Sequence, residues 1–239
     1  MIHLGRKLFF SVGLLSCALG LSAATITFDL TSGNGTGNGT LRTFTDAGSG
    51  ITVTATAWSL LNYGTTFSTG QLGQFSTGLG VCNANEGNNC SSPDHQVDNA
   101  GSFDFVLFQF NQPVTINTIV IDPYAPANAD RDVTYYLSDN LNPIPLTLTT
   151  VSALSGQGFS GPTSQSNSAS LNPLPITIAS GPDRAILFGA SIVGGNDDYF
   201  KIASLTVTTS VVPEPEATWT LCGALAALVL YRKRRATRA

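Results

Sequence analysis

An all-β body, a jelly-roll-like antiparallel β-sandwich, is what three features of this 239-residue sequence predict. Apolar residues recur at every second position, turn-forming Gly, Ser, Thr and Asn interrupt them at short intervals, and the helix formers Lys and Glu are scarce between residues 25 and 210. Eight short strands separated by such turns fit two packed antiparallel sheets better than an up-and-down barrel.

The strands are expected in the following order. Thr25 to Leu30 alternates threonine and apolar residues, and the glycine-rich run Gly33 to Gly39 after it reads as a flexible connection. That run lacks the lysine and the following helix that a phosphate-binding loop requires. Ile51 to Ala57 alternates again and leads to Trp58, an aromatic flanked by β-formers and so a core candidate. Phe103 to Phe110 carries bulk on both its odd and its even positions, the pattern of a central strand covered on two sides. Asn111-Gln112-Pro113 then predicts a hairpin turn into Val114 to Ile121. Asp132 to Leu137 and Ile144 to Thr150 follow, then a polar loop from Ser155 to Ser170, and finally Ala185 to Ile192 and Phe200 to Thr208. Leu141-Asn142-Pro143-Ile144-Pro145 and Leu171-Asn172-Pro173-Leu174-Pro175 echo each other, and proline cannot donate into a ladder, so both are expected to enter strands at sheet edges. With no third copy, they are two similar strand starts and not a solenoid repeat.

The two ends of the chain read differently. Arg6-Lys7, an apolar run from Leu8 to Leu21 and Ser22-Ala23-Ala24 follow the plan of a secretory signal peptide (residues 1–24) with cleavage before Thr25. Leu14-Leu15-Ser16-Cys17 partly fits a lipoprotein signal, but the apolar run continues past it to a better small-residue site. At the other end (residues 211–239), Val212-Pro213-Glu214-Pro215 precedes an apolar span from Ala217 to Tyr231 and the basic cluster Arg232-Lys233-Arg234-Arg235. Prolines halt structure arriving from upstream, the apolar run suits a bilayer, and the cations hold the cytoplasmic side.

This tail resembles the PEP-CTERM sorting signal of Gram-negative bacteria that make extracellular polysaccharide. The resemblance implies that Val212, Pro213, Glu214 and Pro215 are recognised by exosortase, a membrane transpeptidase, with Arg232, Lys233, Arg234 and Arg235 stopping transfer. An ordinary single-pass anchor is the competing reading, yet fifteen helical residues at ~1.5 Å each span about 22 Å, short of a hydrocarbon core of ~30 Å. A marginal span suits a segment destined for removal. A second similarity, carried by Gly78-Leu79-Gly80-Val81, His95-Gln96-Val97-Asp98-Asn99 and Asp197 to Ile202, is to the ectodomains of surface proteins bearing this same tail; it implies a β-sandwich and supplies no activity.

Between the ends lies one domain, residues 25–210, with four basic residues against thirteen acidic ones, a net of about nine negative charges. Such a surface repels nucleic acid and suits cations or neutral glycans. Cys82 and Cys90, the two cysteines of this domain, enclose a polar, turn-rich loop and are natural disulfide partners in an oxidising compartment. His95 is its single histidine, which leaves little for triad or acid–base chemistry and argues against an enzyme. Oxygen-rich turns stand out instead: Asp94, Asp98 and Asn99, Asp130-Arg131-Asp132 and Asn196-Asp197-Asp198. Calcium takes six to eight oxygens, and a structural calcium held by Asp98 and Asn99 with Asp197 or Asp198 is the candidate cofactor. Asp and Asn are equally the ordinary residues of turns.

Two further surfaces are candidates. Trp58, Tyr63, Tyr124 and Tyr199 are the aromatics available for stacking on sugar faces, as in a carbohydrate-binding module. Thr-x-Thr recurs at Thr25, Thr52, Thr147 and Thr206, an element of flat ice-binding arrays, although these sites have no regular period in the sequence. The expected role is therefore an exported cell-surface or matrix structural protein, with exopolysaccharide as a candidate partner and no nucleic acid. Carbohydrate binding is the alternative and ice binding a more distant one.

Overall fold

The computed structural model describes residues 23–31, 39–87, 90, 95–123, 130–140 and 145–209. The expected signal peptide (except Ala23 and Ala24), the sorting motif Val212 to Pro215, the span 217–231, the basic cluster, Asp94 and Tyr124 lie outside the described residues. Residues 23–210 form one compact unit.

Thirteen strands follow in chain order: β1 Thr25–Asp29, β2 Leu41–Thr45, β3 Thr52–Leu61, β4 Phe67–Thr69, β5 Gln71–Phe75, β6 Gly78–Cys82, β7 Val97–Asp98, β8 Ser102–Pro123, β9 Val133–Ser138, β10 Phe159–Gln165, β11 Leu174–Thr177, β12 Pro182–Ala190 and β13 Tyr199–Thr209. Every strand-to-strand ladder is antiparallel, and the molecule is a β-sandwich-like all-β fold. Two short 3₁₀ turns, Ala84–Glu86 and Val151–Gln157, are the helical elements among the described residues.

The hairpin expected at Asn111-Gln112-Pro113 does not form; β8 runs unbroken through it. Its first half pairs with β3 up to Phe110 and its second half with β13 from Val114, so Pro113 falls where the partner changes and its missing donor costs no ladder bond. On the other edge β12 follows the same course, with a register shift between Asp183 and Ala185. One strand thus serves both layers, as corner strands that switch sheets by bulges do. In the first layer the order is β2-β3-β8-β12-β9-β10; in the second, β13 lies between β8 and an edge shared by β1, β7 and β6, while β11 flanks β8.

The inward residues of both layers share one core: Ile26 and Phe28 from β1, Val53 and Ala55 from β3, Val106 and Phe108 from β8, Ile186 and Phe188 from β12, Leu205 and Val207 from β13. On β8 the buried set runs Val114, Ile116, Ile119, Ile121, changing parity at Asn117. The ladder to β13 shifts register there, and the bulge returns the later apolar residues to the core. The two-sided burial expected for Phe103 to Phe110 holds, because Phe105 and Leu107 enter a second cluster with Trp58, Phe67, Tyr136 and Leu187 on the opposite face.

What covers that second face corrects two expectations. Of the segment expected as a strand from Ile144 to Thr150, residues 141–144 lie outside the described set and residues 145–150 form no strand: Leu148 stands in a turn at φ 61°, and Leu146 is buried against the sheet. The positive φ breaks the extended run, and the segment pairs only through a bridge from Thr150 to Thr66 and backbone bonds such as Phe67 N–H to the Thr149 carbonyl at 2.8 Å, while Leu146 serves as cover. The expected loop from Ser155 to Ser170 likewise contributes Phe159 to this cluster and pairs with β9 as β10. The second proline echo does enter a strand, β11, which pairs with β8 alone and so lies at an edge.

Candidate functional site

The Cys82–Cys90 disulfide is formed, with a Cα–Cα separation of 5.2 Å. It closes the loop on which Asn83 caps the Ala84–Glu86 turn: the Asn83 side chain accepts from the Asn85 amide at 2.9 Å, and the Glu86 carboxylate accepts from the Asn83 amide at 2.9 Å. This reciprocal cap fixes Glu86 beside β7 and β8. There Asp98 and the fully buried Asp104 stand with it, one carboxylate oxygen from each of the three lying within 4.8 Å of the others. Asn83 donates from Nδ2 to both Asp104 oxygens, at 3.2 and 3.4 Å. Ser59 lies directly opposite Asp104 in the β3–β8 ladder and is fully buried.

Burial raises the Asp104 carboxyl well above the usual range, and the charges of Asp98 and then Glu86 raise it further; Ser59 and Asn83 act in the opposite sense. Ser59 thus stands close enough to favour the ionised carboxylate, yet its hydroxyl reaches no partner with hydrogen-bond geometry.

A second carboxylate triad lies nearby: Asp130, Asp132 and Asp198. The expected set of Asp98, Asn99, Asp197 and Asp198 is therefore divided between two places. Asp98 ends β7 and meets Asp104, whereas Asn99, just past the strand, turns to Asp198. Asn99 donates to the carbonyls of Ser191 and Gly195 at 3.2 and 3.0 Å and to the Asp198 carboxylate, and its own oxygen accepts from the Asp198 amide at 3.0 Å. The other Asp198 oxygen accepts from the Asp132 amide at 2.8 Å. Burial pushes Asp198 up to about 7, and the neighbouring charges of Asp132, Asp130 and Asp197 add to this. Asp197 belongs to neither triad; its carbonyl accepts from the Asp130 amide at 2.9 Å. Both triads are knitted into the fold by hydrogen bonds: in the first, Asp104 and Glu86 accept from Asn83 and Asp98 accepts from the Ala100 amide at 3.0 Å.

The aromatics separate as well. Trp58 is core, its indole donating to Thr56 Oγ1 at 2.9 Å. Tyr63 is 47 % exposed, packs edge-on to Phe103 with centroids 5.2 Å apart, and accepts from the Gly101 amide at 2.7 Å. These two rings, with Ile192, Gly194, Gly195 and Asn196, line a shallow cavity of about 320 Å³. Tyr199 flanks this rim, its hydroxyl donating to the Asn196 carbonyl at 3.4 Å.

One alignment is invisible in the sequence. The ladders place Thr25 beside Thr208 and Thr208 beside Thr115, then Thr27 beside Thr206, Thr206 beside Thr118 and Thr118 beside Thr177. Two ranks of threonine thus cross the outer face of the second layer, joined at one point by the Thr27 and Thr206 hydroxyls 3.0 Å apart. Thr52 and Thr54 face Thr45 and Thr43 on β2 in the same manner, while Thr147 stands in a turn and Thr149 in the short segment after it.

Comparison with protein-family models, with curated proteins and with solved structures returned no match.

Proposed function

We propose that this chain is an exported structural protein of the cell surface or extracellular matrix. Its body is a jelly-roll-like β-sandwich, carried out by the N-terminal signal and handed at the membrane, through Val212 to Arg235, to an exosortase-type transpeptidase. The observation that carries this reading is the Cys82–Cys90 bond: an oxidised pair belongs to an oxidising compartment, and export is what the sequences at both ends encode. The acidic body supports it further, since its charge disfavours nucleic acid and suits a hydrated polysaccharide surround. In this role the chain is a substrate of processing, and Pro213, Glu214 and Pro215 are the residues read by the enzyme. Replacing all three by alanine in the producing cell tests it: the variant should accumulate in the membrane fraction as the unprocessed form, and normal release of that variant would refute the assignment.

A second reading, glycan binding at the surface, is favoured by the exposed Tyr63 beside Phe103 in a shallow cavity. Retention of the full chain on host exopolysaccharide, lost in Tyr63→Ala, supports it. The ranked threonines keep ice binding as a more distant option, to be read from recrystallisation inhibition.

A further inference from the structure

We propose that the cavity walled by Tyr63, Phe103 and Gly195 binds a glycan whose sugars carry free amino groups, with one pyranose ring stacked on Tyr63 and its ammonium set against the Asp197 carboxylate. The inference rests on the glycan-binding reading, whose ligand it names, and is independent of the sorting tail.

The turn that lifts Tyr63 is strained. Gly64 closes it by donating its amide to the Leu61 carbonyl at 2.9 Å, and both central residues, Asn62 at φ 53° and Tyr63 at φ 56°, sit in the left-handed region. Glycine is the ordinary occupant of the second such position, so a tyrosine there adds strain that a purely connecting turn avoids. The surroundings hold it in place: Asn85 donates to the Asn62 side chain at 3.1 Å, and the Tyr63 hydroxyl accepts from the Gly101 amide at 2.7 Å. The residue is thereby fixed while nearly half of it stays exposed, and a platform already fixed loses little entropy on binding. Tyr63 and Phe103 meet at 66°, which gives the cavity two apolar walls instead of one floor. Such a corner accepts the flat apolar face of a pyranose on one ring and its edge on the other.

Charge decides which sugar. Gly195 lines the cavity, and the exposed Asp197 folds back over it so closely that a Cβ on Gly195 would overlap Asp197 Oδ1. An anionic group thus stands at the edge of the aromatic corner. Tyr199, on the same rim, senses the same field: burial raises its phenol, and Asp98, Asp197, Tyr63 and Asp198 raise it further, with no cation among them. A negative rim repels uronic acids and sulfated sugars, leaves neutral sugars with stacking alone, and adds attraction for an ammonium, which aromatic faces also favour. A basic peptide answers the charge but not the two-walled corner, which favours a pyranose.

The test is calorimetric titration of the full-length protein, purified in mild detergent, with an oligomer of β-linked glucosamine and with the same oligomer N-acetylated. The free-amine oligomer should bind about 3-fold more tightly than the acetylated one, the effect of an exposed ion pair, and added salt should narrow the difference. Tyr63→Ala should weaken both by roughly 10-fold, whereas Tyr63→Phe, which keeps the ring, should bind as the parent does. Asp197→Asn should lower the free-amine oligomer to the affinity of the acetylated one. Equal affinity for the two oligomers in the parent, or an Asp197→Asn variant that still prefers the free amine, would overturn the amino-sugar assignment and leave the glycan reading standing. Binding of neither oligomer would overturn it as well, and retention on host exopolysaccharide then decides whether the glycan reading survives. Polylysine bound as tightly as the glucosamine oligomer, with no loss in Tyr63→Ala, would place the effect in charge alone and overturn it too.

Discussion

Lys201 shows how far burial alone can move a single group. Its residue is 2 % exposed and its ammonium lies 5.1 Å from the centre of the Phe75 ring. Burial lowers it to about 8 against the opposing pull of Asp122. A cation whose folded value is depressed adds stability above its ordinary value and forfeits it as pH falls through the folded one. Thermal midpoints in chelator should therefore rise between about pH 8 and about pH 10. Lys201→Met should abolish most of that rise and be more stable at neutral pH by about 1 kcal/mol, because a buried charge is replaced by a side chain of similar length. Gly80 makes the opposite case. A Cβ there would overlap the His95 carbonyl oxygen, which lies against β6 where the Val81 amide donates to the Gln96 carbonyl at 3.1 Å. Gly80→Ala should cost about 1–3 kcal/mol, read from denaturant midpoints.

At the scale of elements, the disulfide loop is the piece whose closure bears most directly on stability. Cys82→Ser with Cys90→Ser should destabilise the domain by roughly 2–3 kcal/mol, the range for a short closed loop, read from denaturant midpoints. The cysteine pairing was legible from compartment and loop composition, and so were most strands with a strong period of two. The continuity of β8 was not, since Asn-Gln-Pro is a turn signal locally and only the exchange of partners from β3 to β13 makes Pro113 harmless there. Strands β4, β5 and β6 were missed because glycine and polar residues dilute their alternation; their pairing, not their propensity, makes them strands. The candidate calcium set joined Asp98 and Asn99 to Asp197 and Asp198, whereas the structure brings Asp98 together with Glu86 and Asp104 and Asn99 together with Asp198. Glu86 read as a loop residue and Asp104 as one polar residue inside an apolar strand, and neither reveals in sequence that a cap and a register bring them together. The threonine ranks were hidden for the same reason: neighbours across a ladder are distant along the chain.

For the whole molecule, the proposed function joins an acidic, disulfide-closed β-sandwich-like body to end sequences proposed to export it and to fasten it briefly to a bilayer. In that proposal the body contributes rigidity and the ends contribute address. Export and removal of both targeting segments is the claim on which compartment, disulfide and surface role depend. It is tested most directly by intact mass spectrometry of the native protein recovered from its producing cell. The account predicts a chain beginning at Thr25 and ending at or close to Pro213-Glu214-Pro215, with the Cys82–Cys90 bond intact. A mature protein that keeps residues 1–24, or that still carries Arg232 to Arg235, would contradict it.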